Sequence, residues 1–336
     1  MPSKIEAHVA VIIPFYNGAR WVERAIRSVV SQTLSPAEFL VVNDGSTAAE
    51  RDLLGKLAGK YSFRIIDQEN GGQGSARNTG VSASESPLIC FLDQDDYFHA
   101  RHIQDLVEAM PEDDPLLGFV YGDFCSADEE GRILHSNTLA LQQSDRHPKR
   151  GAITDFIRTD LFILPSASLI LRNAFESVGG FDAQFKGYED DDLFLRMIRA
   201  GFTNYFLNKP VYFWCMHSAS ASWSITMSRS RFRFFKKLAG MFPDDANKRM
   251  FYLRDCLMPR FGATFLEEAV KARLGLCKDP GEIMDIFNQY TEVVIGNSHV
   301  CRKARRRLGY AAKVLNTYPV FLFKISKLVR RAMRGI

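Results

Sequence analysis

Along the first hundred residues, short apolar blocks alternate with amphipathic ones. Val9–Pro14 is a continuous β-rich run and reads as a buried strand. Trp21–Ser31 then switches to helical spacing, with Trp21, Ala25 and Val29 on one stripe and Val22, Ile26 and Val30 on the next. Phe39–Val42, Phe63–Ile66 and Leu88–Leu92 repeat the strand pattern, while Ala49–Tyr61 and Ser75–Ser84 repeat the helical one. This alternation predicts an α/β fold with a mostly parallel central sheet covered on both faces. Ligands of such sheets bind beyond the carboxyl ends of the strands. Polar clusters stand at those ends: Phe15-Tyr16-Asn17, Asn43-Asp44-Gly45-Ser46 and Asp93-Gln94-Asp95-Asp96.

Beyond Asp96 the pattern mixes. It predicts a helix over Ala100–Met110, a strand over Phe119–Phe124, a hairpin turn at Asp128–Gly131 and a polar loop over Gln142–Gly151. A strand over Ser166–Leu171, a helix over Asp190–Ala200 and a strand over Val211–Met216 follow. From Ile225 onward the segments are mostly helical: Met227–Met241, Asn247–Met258, Phe265–Leu276 and Glu282–Ile295. The expected division is one α/β domain over 1–225 and a helical C-terminal extension over 226–336, ending in a basic tail over 302–336.

Composition supports a sizeable core, since 46% of the 336 residues are apolar and 24% charged. The six cysteines include no Cys-x-x-Cys pair, which argues against a zinc site or disulfide scaffold and fits a reducing compartment. The formal charge of +4 conceals an asymmetry. Eleven of the 43 Lys/Arg lie between Arg302 and Ile336 with no Asp or Glu among them, so the first 301 residues carry about −7 and the last 35 carry +11. No secretory signal is expected, and no uncharged stretch reaches the roughly 18–20 residues of a spanning helix. Instead, Val320, Phe321, Phe323, Ile325, Leu328 and Val329 alternate with Lys324, Lys327, Arg330, Arg331 and Arg334, with Pro319 as a breaker. That pattern suits contact with an anionic membrane surface; no nucleic-acid module accompanies the charge.

Two acidic clusters carry the strongest chemical signal. Three carboxylates in Asp93-Gln94-Asp95-Asp96, at the end of an apolar strand, repel one another unless a cation neutralises them. A divalent metal with oxygen ligands or an Arg/Lys would do so. Glu189-Asp190-Asp191-Asp192 opens a helix, where one or two acids would suffice for capping; the surplus suggests a general base. Between them, Asn70-Gly71-Gly72-Gln73-Gly74-Ser75-Ala76-Arg77-Asn78 is a glycine-rich loop entering a helix, suited to an anion. Arg77 would bind a phosphate or pair with the acidic cluster. The loop lacks the Gly-Lys-Ser/Thr of a Walker motif and the third glycine of a dinucleotide fingerprint.

These residues also carry a resemblance. Val11-Ile12-Ile13-Pro14-Phe15-Tyr16-Asn17, Val41-Val42-Asn43-Asp44-Gly45-Ser46, Asn70…Ala76-Arg77-Asn78-x-Gly80, Asp93-Gln94-Asp95-Asp96 and Gly180-Phe181-Asp182…Glu189-Asp190-x-Asp192-Leu193 occur in the order found in family 2 glycosyltransferases. The motifs span about two thirds of the chain. The resemblance implies a GT-A fold, Mg²⁺ or Mn²⁺, and transfer of a sugar with inversion from a nucleotide-diphosphate donor, expected to be a UDP-sugar. The acceptor it implies is a hydroxyl of a glycan or lipid-linked glycan, in cell-surface polysaccharide biosynthesis. With the basic tail, the expected location is the cytoplasm, peripheral on the inner face of the plasma membrane.

Residue by residue, the resemblance sets Pro14 and Tyr16 beside the nucleobase and Asp44 as acceptor from a base N–H. The family commonly has Asp-Asp-Gly-Ser after the second strand; Asn43 replaces the first acid here, so base recognition carries to Asp44 alone. Gly74 and Arg77 fall near the nucleotide, Arg77 at the base or the diphosphate. Asp93 resembles the ribose-side acid and, with Asp95, a metal ligand; Asp96 stands behind them. Asp190 matches the catalytic base, with Glu189 beside it. His217, in Cys215-Met216-His217-Ser218-Ala219-Ser220, resembles a His-x-x-Ser stretch that closes over the diphosphate and reaches metal or phosphate. The same-fold rival, a sugar nucleotidyltransferase, usually opens with Gly-x-Gly-x-Arg after the first strand, where Pro14-Phe15-Tyr16-Asn17 stands instead. A non-catalytic sugar-binding scaffold would not need both acidic clusters.

Overall fold

The apolar runs at the N-terminus become the centre of a nine-stranded sheet. A computed structural model describes residues 8–139, 147, 149–217 and 225–317. β1 (Val9–Phe15) is buried along its whole length and runs parallel to β2 (Glu38–Asp44) on one side and β4 (Leu88–Phe91) on the other. β3 (Arg64–Gln68) extends the sheet parallel to β2. The crossovers are α1 (Ala19–Val30), α2 (Ala48–Tyr61) and α3 (Gln73–Ser82), which cover the faces of a parallel sheet.

Past β4 the sheet becomes mixed. β8 (Ser168–Leu171) is antiparallel to β4 and to β6 (Leu117–Ala127), and β9 (Thr203–Cys215) runs parallel to β6. β5 (Tyr97–Phe98) closes the far edge against β9, and β7 (Ile133–His135) pairs β6 across the expected hairpin turn. The order is β3-β2-β1-β4-β8-β6-β9-β5. α4 (His102–Glu108), α6 (Arg172–Ser177) and α7 (Glu189–Arg199) complete this layer. The chain forms an α/β sheet, mostly parallel, followed by helices.

Two compact units emerge, one of Met1–Arg150 and Leu161–Ser220, the other of Gly151–Asp160 and Ala221–Ile336. The second contains α5 (Ile153–Arg158), α8 (Ile225–Met241), α9 (Met258–Arg273), α10 (Pro280–Gly296) and α11 (Arg302–Thr317). Its interior is aromatic: Phe235, Phe261, Phe265 and Tyr290 meet mostly edge to face, a favoured ring geometry.

Several boundaries differ from the expected ones for local reasons. Ser166 lies in a 3-10 turn, Pro165–Ala167, so the strand starts only at Ser168. The helix expected over Asn247–Met258 does not form from its start. Asp245 accepts from the amides of Asn247 and Lys248 and bridges to Met250, and a π-helical turn at Leu253–Leu257 then feeds α9. Pro259 needs no helical N–H in α9's first turn, so this helix begins at Met258 rather than Phe265. Most of the polar loop Gln142–Gly151 and the segment Val320–Arg334, with Pro319, lie outside the described residues.

Candidate active site

The polar ends of β1, β2 and β4 are tied together by hydrogen bonds. The Tyr16 amide donates to Gln94 Oε1 at 2.9 Å, and Gln94 Nε2 returns a bond to the Tyr16 carbonyl. The Asn17 amide donates to Ser46 Oγ, and the Thr47 amide to Asn17 Oδ1, both at 3.0 Å. Pro14 sits within β1 opposite Val42, while the Tyr16 ring is 50% exposed and open to a ligand.

Asp44 is buried at the end of β2. Its oxygens accept from the amides of Gly71 and Gly72 at 2.8 and 2.9 Å and from Gln68 Nε2 at 2.7 Å. Two loop amides expected to meet an anion therefore serve Asp44, and a ligand N–H would share its oxygens. Gly74 follows in the first turn of α3, buried where an added Cβ would lie 3.3 Å from Phe181 Cβ.

Arg77 joins the two acidic clusters. It is 2% exposed; Nη2 lies 2.5 Å from Asp93 Oδ1 and Nη1 3.1 Å from Glu189 Oε1. Its guanidinium also sits 5.1 Å from the centre of the Phe181 ring and 5.9 Å from that of Phe91. Of the two partners open to Arg77 from its sequence, phosphate or acid, the geometry supplies acids from both clusters. Asn78, the next residue, clamps Phe181 by its amide and its carbonyl at 2.9 and 2.8 Å. Gly180 precedes Phe181 at φ +67°, a conformation open to glycine, with Asn78 Oδ1 where a Cβ would stand.

After β4 the acids separate by environment. Asp93 faces Arg77 and Gln73 Nε2, the latter at 2.5 Å. Asp95 Oδ2 lies 2.7 Å from His217 Nε2; burial, then the neighbouring Asp93 charge, raises its pKa from the ordinary carboxylate value. Asp96 is buried beneath, accepts from the Cys215 amide at 2.8 Å, and is pushed up further by burial and by the Asp95 and Asp93 charges. His217 stacks on Trp21 with centroids 4.4 Å apart and an interplanar angle of 19°. Its Nδ1 is buried, with no hydrogen-bond partner among the described residues.

The first turn of α7 sorts its four acids. Glu189 pairs with Arg77 through Oε1, while Oε2 is buried with no hydrogen-bond partner among the described residues. Asp191 accepts from the Leu161 amide at 3.0 Å, and Asp192 pairs with Arg196 one turn on at 2.8 Å. Asp190 accepts from the adjacent Asp191 amide at 2.8 Å. Burial first, then the charges of Glu189 and Asp191, lifts its pKa well above the usual carboxylate value. A raised pKa makes a carboxylate a stronger proton acceptor once it is ionised.

Among the described residues, no three His, Cys, Asp or Glu side chains converge on one cation position. Asp95 and His217 nevertheless present a carboxylate and an imidazole nitrogen to one another, beside a second carboxylate. That donor set fits Mg²⁺ or Mn²⁺ completed by substrate phosphate oxygens better than an all-protein cage.

Trp21, Arg24, Gln73 and Gln94 were not among the residues singled out from sequence. Arg24 donates to the Asp95 carbonyl at 2.7 Å and lies over the Tyr97 ring. Trp21 reads from sequence as one more residue of an apolar helical stripe; only an arginine three residues on, beside that stripe, hints at a further role.

The sheet and its converging acids define a GT-A-like fold, the class that binds nucleotide-diphospho-sugars. Residues 10–179, about half of the chain, match the sequence model of Glycosyl transferase family 2. The chain belongs to that family. Among solved structures, Staphylococcus aureus TarS 1-349 in complex with UDP-GlcNAc superposes with a TM-score of 0.62 at 17% identity, over 93% of this chain and 89% of that one. The mannosyltransferase PcManGT from Pyrobaculum calidifontis, in complex with GDP-Man and Mn²⁺, gives 0.55 at 16% identity, over 97% and 86%. At such identities these likenesses establish the fold. An uncharacterized glycosyltransferase of Rickettsia bellii is 35% identical over 144 residues, 43% of this chain and 21% of its own length. Another, alr2836 of Nostoc sp., is 41% identical over 108 residues, 32% of this chain and 34% of its own. The chain thus spans about a fifth to a third of these two curated relatives.

Proposed function

We propose that the protein transfers a sugar, with inversion, from a nucleotide-diphosphate donor to a hydroxyl of a glycan or lipid-linked acceptor in cell-surface polysaccharide biosynthesis. The carrying observation is Arg77, whose single buried guanidinium holds a donor-side acid, Asp93, and a base-side acid, Glu189, in one site. Fold and family support the same reading.

In this reading Tyr16 and Asp44 flank the nucleobase, with Pro14 and Gly74 shaping the backbone around it. Asp95 and His217, with Asp93 beside them, hold Mg²⁺ or Mn²⁺, which when bound spreads the charge of the departing diphosphate. Asp190 takes the proton of the acceptor hydroxyl as its oxygen forms the new bond to the anomeric carbon and the nucleoside diphosphate departs from the opposite face. Glu189 keeps Asp190's proton affinity high while being held in place by Arg77. A UDP-sugar is the expected donor. The basic segment beyond Thr317 is proposed to rest on an anionic membrane surface; among the described residues no helix is long and apolar enough to cross one.

Two measurements test this. A panel of UDP- and GDP-sugars assayed with Mn²⁺ for nucleoside diphosphate release should give turnover with at least one donor. Asp190→Asn should keep donor affinity within about threefold and lose transfer by at least about a hundredfold. Unchanged turnover in that variant would sink the base assignment.

A further inference from the structure

Helix α1 reaches the acidic rim through Trp21 and Arg24, three positions apart and so on one face. Val22, Ala25, Ile26 and Val29 anchor the same helix in the core of the sheet. Arg24 ties together the two segments that bring Asp95 and His217 to the site. Its Nη2 donates to the Asp95 carbonyl at 2.7 Å and to Cys215 Sγ, two residues before His217, at 3.2 Å. Its Nη1 donates to the Glu129 carbonyl at 3.0 Å.

Trp21 acts on the histidine itself. The indole lies nearly parallel to the His217 ring, with centroids 4.4 Å apart and 19° between planes. Arg20 lies over the indole as well, its guanidinium 5.7 Å from the ring centre, and pairs with Glu129 at 2.6 Å. Among the described residues the His217 ring is hydrogen-bonded at one nitrogen only, Nε2 to Asp95 Oδ2 at 2.7 Å, while Nδ1 is buried with no partner. A ring held at one nitrogen can turn about that bond, so its plane is set by what it packs against. Ligating histidines are ordinarily oriented by a hydrogen bond at the second nitrogen, and losing such an orienting partner typically costs about 10–100-fold in metal affinity. Here an aromatic face does the orienting.

We propose that Trp21 is a positioning residue of the transfer site, its indole face holding the His217 ring so that Nε2 stays at the cation position beside Asp95. This role rests on the reading above in which Asp95 and His217 hold Mg²⁺ or Mn²⁺. Trp21 Nε1 has no hydrogen-bond partner among the described residues, so replacing the side chain removes ring contacts and no hydrogen bond.

Mn²⁺ is the probe, titrated into the full chain with and without UDP and followed by the electron paramagnetic resonance of the free ion. Trp21→Leu keeps an apolar contact without a ring and should weaken Mn²⁺ binding by about 10–100-fold. Trp21→Phe keeps the aromatic face and should stay within about threefold of the unaltered chain, since the orienting contact is preserved. UDP affinity in EDTA, which reports the nucleobase contacts alone, should not change in either variant. In the unaltered chain, the His217 Cε1 proton should resonate upfield of a free histidine's, shielded by the indole ring current; His217→Gln assigns the signal. A free-histidine position for that proton would overturn the stack. Full Mn²⁺ affinity in a folded Trp21→Leu variant would overturn the role, and so would a loss in Trp21→Phe as large as in Trp21→Leu. A parallel loss of UDP affinity in EDTA would mean collapse of the whole site rather than a turned histidine, and would overturn it too. Absence of Mn²⁺ binding by the unaltered chain, even with UDP, is the separate outcome that sinks the metal reading and this role with it.

Discussion

A guanidinium enclosed by two carboxylates and two phenyl rings has little freedom left, and Arg77 is in that position. Removing it strands Glu189 and Asp93, and an uncompensated buried charge typically costs about 3–5 kcal/mol. Arg77→Met should therefore lower unfolding free energy by that amount in urea denaturation, and adding Glu189→Gln should recover part of it; strictly additive losses would remove the ion pair from the account. The same pair sets a pH dependence. As the proposed base, Asp190 has to be ionised, and its pKa is raised, so kcat/KM should climb with pH along a limb above the ordinary carboxylate value. Glu189→Gln deletes the larger like charge and keeps an acceptor for Arg77, so that limb should move to lower pH; a limb that stays in place would separate Glu189 from the base. Much of this site was legible in the sequence because its acids and glycines crowd into short runs at the ends of apolar strands and at a helix start. What was not legible is pairing. Arg77 could face phosphate or acid, and only the fold decides which elements lie beside it.

At the scale of elements, α3 must sit close enough to β1 for Arg77 to reach both clusters. Gly80 makes that approach possible: a Cβ there would stand 2.4 Å from Ile12 Cγ2 and 3.2 Å from Val42 Cγ2. Gly80→Ala should thus cost about 1–3 kcal/mol in unfolding free energy despite alanine's better helix propensity. Ile12→Ala, which vacates the contested space, should make the double variant less unstable than the two losses summed; additivity would mean that the helix shifts freely. The strand and helix alternation up to Leu92 was legible because each element buries a simple face. Later elements were less so. Tyr97–Phe98 is too short to show a period, and the stretch before α9 is set by Asp245 side-chain bonds and a π-turn, which have no periodic signature.

At the scale of the whole molecule, the charge asymmetry takes a more definite form. α11 buries Leu308 and Leu315 within the helical unit and leaves Arg302, Lys303, Arg306 and Lys313 exposed, so its apolar side is already committed. An amphipathic contact with lipid must then come from Val320, Phe321, Phe323 and their neighbours, outside the described residues, while α11 supplies charge alone. Near an anionic surface each Lys or Arg is worth about 1 kcal/mol, and the segment beyond Thr317 carries five of them together with the apolar positions. A chain ending at Thr317 keeps the packed helix and isolates that contribution, whereas a cut before Arg302 would also expose the faces α11 covers. In co-sedimentation with vesicles containing anionic lipid, the full chain should bind at least tenfold more tightly than the chain ending at Thr317. The advantage should shrink as salt rises from 50 to 300 mM, because exposed charges are screened over a Debye length of about 8–10 Å at physiological ionic strength. Equal binding by both chains would place membrane contact in the helical unit itself, and no binding by either would leave the +11 tail without a lipid role.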